Sequence, residues 1–147
     1  MSEQPLLSVD RENIISLAQE TQFAPNGIVS RTLLRTPNSR AVLFGFTEGQ
    51  EVTEHTSTQH ALIQILSGEC EFSLGGKPRT LKAGDLLYMP PNLPHAVKAT
   101  SQFSMLLTLI VVPAVYVLIA RNSHSPEYIA HLIDNLRGKK PAAVATQ

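Results

Sequence analysis

The sequence predicts a mainly β protein, a small antiparallel sandwich or barrel, on three observations. From Ile28 to about Phe103, short apolar or alternating runs recur every few residues, as strands require when successive side chains face opposite ways. Between the runs stands turn chemistry: Pro37-Asn38-Ser39, Glu48-Gly49, Ser67-Gly68-Glu69, Gly75-Gly76-Lys77-Pro78, Ala83-Gly84 and the stretch Pro90 to Pro94. Helical signals are confined to the two ends of the chain. A length of 147 residues with a hydrophobic share of 43% suffices for one buried core.

Each element can be justified in turn. Met1 to Pro5 lack the basic and apolar regions of a signal peptide. Residues 10–18 predict a short N-terminal helix, with Asp10 as N-cap and Ile14, Leu17 and Ala18 on one face, ended by Pro25-Asn26-Gly27. Strands are predicted at Ile28–Leu34, Ala41–Thr47, Val52–His55, Ala61–Leu66, Cys70–Leu74, Arg79–Leu81, Asp85–Met89, His95–Ala99 and Phe103–Val112. Gly75-Gly76 between CEFSL and RTL marks a tight hairpin, because the favoured two-residue turns need positive φ.

Phe103 to Ala120 forms an 18-residue apolar run, close to the roughly 20 residues of a bilayer crossing. Pro113 interrupts its centre and Leu109-Ile110-Val111-Val112 favours a strand. A core strand to Val112 is therefore expected, followed by an apolar segment packed on the domain or a partner subunit, and no membrane association. Ser125 as N-cap, Pro126 at the first helical position, Ile129, Leu132, Ile133 and Leu136 on one face, and Gly138 at the end predict a C-terminal helix. The expected divisions are an N-terminal extension over 1–27, a barrel over 28–112, the apolar segment and helix over 113–138, and a tail over 139–147.

Lys and Arg number 12 against 12 Asp and Glu, and charged residues make up only 16%. No basic patch or raised pI marks a nucleic-acid binder. Little charge on a small domain favours self-association, so a homodimer is expected. The single cysteine, Cys70, excludes an internal disulfide framework and a multi-cysteine zinc site, and fits a cytoplasmic location.

The chemistry centres on two histidines. His55 and His95 stand on predicted strands with several hairpins between them, and a barrel folds such strands side by side, so both imidazoles can reach one cavity. The surrounding residues read Gly49-QEVTE-His55-Thr56-Ser57-TQH-Ala61-LIQILS-Gly68 and Gly84-DLLYM-Pro90-Pro91-Asn92-LP-His95. In both spacings the stretch from about Ala41 to Ile110 resembles the cupin superfamily, in particular its small bacterial RmlC-like members. The resemblance implies a jelly-roll barrel and a metal held by three histidines and a glutamate. It also implies homodimers formed through edge strands and swapped N-terminal segments. Here Ser57 fills the second histidine slot and Ala61 the glutamate slot.

His55 and His95 are thus candidate ligands of one divalent transition metal, zinc, nickel, iron or manganese, with a pair of pocket histidines hydrogen-bonded inside the barrel as the alternative. His60, one residue before the glutamate slot, is a candidate third ligand if a bulge between Thr56 and Gln59 turns it inward. Ser57, Gln64, Phe44, Phe46, Phe72, Tyr88 and Met105 are candidate pocket residues. Three functions are weighed: a cupin that binds a small molecule or a metal in its barrel without a defined reaction; a metal-dependent enzyme of isomerase, dioxygenase or decarboxylase type on a small organic substrate; and a structural or regulatory interaction protein.

Overall fold

The computed structural model describes residues 4–111; the expected apolar segment 113–120, the helix over 125–138 and the tail lie outside the described residues. The elements are α1 (Leu17–Glu20), β1 (Ile28–Arg35), β2 (Ser39–Phe46), β3 (Glu51–His55), β4 (His60–Ser67), β5 (Glu69–Leu74), β6 (Lys77–Lys82), β7 (Leu86–Met89), β8 (His95–Ala99) and β9 (Phe103–Ile110). Two antiparallel sheets form a jelly roll, a five-stranded sheet in the order β1-β2-β9-β4-β7 and a four-stranded sheet in the order β3-β8-β5-β6.

The predicted strands are present with small shifts at their ends. Gly75 and Gly76 take φ of 56° and 78° and join β5 to β6, with Leu74 opposite Lys77. Pro78, which cannot donate to a ladder, is accommodated because β6 lies at the edge of its sheet. Asp85 belongs to a turn and not to β7: its Oδ2 accepts a 2.9 Å bond from the Lys82 N–H. The first part of the 103–120 apolar run is β9, and among the described residues no helix is long and apolar enough to cross a membrane.

The N-terminal helix departs from expectation. Residues 10–16 are not helical, and α1 is only Leu17–Glu20. Local side chains take the backbone groups a helix would use. Asn13 Nδ2 donates to the carbonyls of Ser8 (2.8 Å) and Arg11 (2.7 Å), and Ser8 Oγ accepts from the Asp10 N–H (3.2 Å). Ile14 is 99% exposed, so no apolar face exists to compensate.

This segment is a strap on the barrel. The Leu6 and Leu7 N–H groups bond to the Thr32 and Leu33 carbonyls. Arg31 holds Glu20 through a 2.6 Å ion pair and donates to its carbonyl at 3.1 Å. At Gly45 the strap crosses β2 so closely that a Cβ would overlap the Gln22 carbonyl oxygen.

Between the sheets lies the core, which includes Phe46, Ile63, Ile65, Cys70, Phe72, Phe103 and Met105. Phe46 and Phe103 stack with ring centroids 4.5 Å apart. Burying such a ring is worth about 1.5–3 kcal/mol. The buried Ser104 hydroxyl is matched by Ser67 at 2.6 Å, and no sealed side-chain polar atom lacks a partner among the described residues.

Candidate functional site

A cavity of about 530 Å³ opens between the sheets. The alternation of each strand decides which side chains reach it. β2 sends Phe44 and Phe46, β4 Ala61 and Ile63, and β9 Met105, Leu107 and Leu109; Phe72 of β5, Met89 of β7, Val52 of β3 and Val97 of β8 add to the apolar wall. The polar end comes from the other sheet and its connection to β4: His55 of β3, His95 of β8, and Thr56, Ser57, Thr58 and Gln59. Among the described residues no Asp, Glu, Lys or Arg lines the cavity.

The histidines form one cross-strand rung. His55 stands opposite His95 in the β3–β8 ladder, after an irregularity between Val52 and His55, and the ring centroids are 4.3 Å apart. His95 is buried at 9% exposure, whereas His55 is exposed. Each ring uses Nδ1 on its own strand's backbone: His55 Nδ1 lies 2.9 Å from the Thr53 carbonyl oxygen, and His95 Nδ1 2.8 Å from that of Leu93. A carbonyl only accepts, so Nδ1 carries the proton and Nε2 of the neutral ring is the bare lone pair.

The connections that carry the motifs lock together at the rim. The Asn92 N–H donates to the Ser57 carbonyl at 2.6 Å, with Asn92 at φ 65°, a left-handed conformation that asparagine tolerates. The Gln59 N–H donates to Ser57 Oγ at 3.2 Å.

Five of the seven pocket candidates, Phe44, Phe46, Ser57, Phe72 and Met105, line the cavity; Gln64 and Tyr88 do not. Gln64 is three residues after Ala61 on a regular strand and is exposed on the opposite face. Tyr88, opposite Leu62 in the β4–β7 ladder, is 54% exposed. His60 also lies off the cavity. β4 begins at His60 and alternates regularly, so the bulge that would have turned it inward is absent and its Nδ1 instead pairs with the Tyr88 hydroxyl at 2.8 Å. Val52, Ile63, Val97 and Leu109 line the cavity without having been singled out. Parity gives three of them: Ile63 lies two residues after Ala61, Val97 two after His95, and Leu109 two after Leu107.

Cys70, at the inner end of β5, is fully buried. Burial first, then the Glu69 and Asp85 carboxylates, pushes its thiol from 9.0 up to about 12, so it is no nucleophile near neutrality.

A family model described as a cupin domain matches residues 42–112. A solved cupin superfamily protein from Desulfitobacterium hafniense aligns with a TM-score of 0.66 at 25% identity, over 74% of this chain and 100% of that one. Residues 42–112 are a cupin domain. Among other relatives, a conserved protein of unknown function from Streptococcus pyogenes also gives a TM-score of 0.66, at 27% identity, over 78% of this cupin and 100% of that chain. A cupin 2 conserved barrel domain protein from Leptotrichia buccalis is 34% identical, with a TM-score of 0.63, over 65% of this cupin and 47% of that chain. An uncharacterised protein of Aquifex aeolicus is 29% identical over 98 residues, 67% of this cupin and 80% of its relative.

Cupins commonly bind metals, so the donor set of this one needs a test. Among the described residues no three His, Cys, Asp or Glu side chains converge. Ala61 lines the cavity with a methyl group and Ser57 offers a hydroxyl, a weak donor to transition metals. Two imidazoles fall short of the three protein ligands of a catalytic zinc site or a non-haem iron face. The described residues of the cavity do not by themselves fit a tightly held resident metal.

Proposed function

We propose that this cupin is a binding protein whose barrel takes up a small organic molecule, without a defined reaction. The observation that carries this reading is the cavity itself: about 530 Å³, apolar over most of its wall, with the His55–His95 pair at its polar end. Ligand sites have this size and this distribution of a few polar groups over an apolar lining. With no third strong donor among the described residues, a divalent ion at the two imidazoles would be held weakly and exchange.

The experiment is a thermal-shift screen of apolar fragments against the wild type and Ala61→Phe, which fills the cavity, with elemental analysis of the same preparations. Some fragments should raise the melting temperature of the wild type and not of Ala61→Phe, and metal should be well below one equivalent. If no fragment distinguishes the two proteins, the binding reading fails. One equivalent of metal, lost in both His55→Ala and His95→Ala, would favour the metal-dependent enzyme instead.

A further inference from the structure

From the state of the imidazole pair we infer that the cavity's ligand is a neutral, largely aromatic molecule bearing a hydroxyl donor, of phenol type, bound without a metal. The inference rests on the binding reading above and specifies its ligand.

Two independent features of the wall lead to it. The first is charge. Among the described residues no Asp, Glu, Lys or Arg side chain lines the cavity and the two imidazoles are its ionisable groups, so a permanently charged guest would leave water without a permanent counter-charge to meet it, which costs far more than hydrophobic contact returns. The guest is therefore neutral. Its body faces Phe44, Phe46, Phe72, Met89 and Met105, and rings and thioethers are favourable neighbours of an aromatic ring.

The second feature is the polarity of the polar end. Both Nδ1–H groups are consumed by the Thr53 and Leu93 carbonyls. Among the described residues neither Nε2 has a hydrogen-bond partner, and no buried side-chain nitrogen is sealed without one, so the His95 Nε2 remains accessible. In the tautomer that these carbonyls select, the two Nε2 atoms are acceptors. They match a donor on the guest and repel a carboxylate, whose oxygens are acceptors as well. A phenolic O–H satisfies one of the two lone pairs, whereas the same ring with its hydroxyl capped satisfies neither. An acceptor left unsatisfied in such a pocket has lost its water and gained no partner, which weakens binding.

The test is titration calorimetry at pH 8 on protein dialysed against EDTA, with three probes that share one two-ring frame: 2-naphthol, 2-methoxynaphthalene and 2-naphthoate. We expect 2-naphthol to bind at least fivefold more tightly than the methyl ether, and the naphthoate to bind more weakly than 2-naphthol by tenfold or more. In His55→Leu, whose position is exposed, one of the two acceptors is gone, and the preference for naphthol over its ether should shrink while the ether still binds. A naphthoate that binds most tightly, an ether equal to naphthol, or binding that requires added zinc overturns the inference and leaves the cavity reading intact. If none of the three binds, the cavity reading fails and the inference falls with it.

Discussion

His55 and His95 owe their chemistry to two backbone carbonyls. Thr53 and Leu93 fix the tautomer, and that choice makes the pair an acceptor. The sequence displays the histidines and the substituted slots Ser57 and Ala61, but not the hydrogen bonds, because a ring's tautomer depends on local backbone geometry that no spacing encodes. Cys70 is a second residue whose behaviour follows from its surroundings. Its folded-state pKa lies above the ordinary 9.0, at about 12, so the folded chain holds that proton more tightly than the unfolded chain. The associated stability is fully present below pH 9 and is lost as pH rises towards 12. Melting temperatures measured across this range should therefore fall less steeply for Cys70→Ala than for the wild type. Equal slopes would show that the thiol contributes nothing to alkaline unfolding.

Elements fix what single residues cannot. The strands and the Gly75-Gly76 hairpin were legible because alternation and turn chemistry are local. The face of His60 was not: its placement depends on where β4 resumes its alternation after Thr56–Gln59, and starting the strand at His60 puts that ring beside Tyr88. The helix expected over 10–18 failed for the converse reason, since Asn13 and Ser8 compete locally for its backbone groups. The strap that replaces it leans on Gly45, where Gln22 leaves no room for a methyl group. Gly45→Ala should lower unfolding stability by about 1–3 kcal/mol, the usual range for overpacking, as read by urea denaturation. An unchanged midpoint would mean that the strap yields freely.

At the scale of the molecule the two sheets divide the work, the five-stranded one supplying most of the apolar wall and the four-stranded one the imidazoles. The paired histidine motifs made this arrangement readable in outline, because both had to converge for their spacing to make sense. The cavity's full lining was less readable, since it depends on how the sheets face each other across the core. Zero net charge and a charged share of 16% support our proposal that the protein is a homodimer. Sedimentation equilibrium should give about twice the chain mass of 16.0 kDa, and a species of chain mass at high concentration would refute it.

The make-up of the wall has a practical consequence. The chain contains no tryptophan, Tyr88 lies off the cavity, and among the described residues the aromatic carbocycles along it are phenylalanines. Phenylalanine and imidazole are nearly transparent in the near ultraviolet, where indoles and many fused-ring compounds absorb and emit. The interior of this barrel is optically dark, so a fluorescent guest would report its own surroundings with little protein signal at that wavelength, and a single tryptophan introduced at the wall would be the sole indole in the molecule.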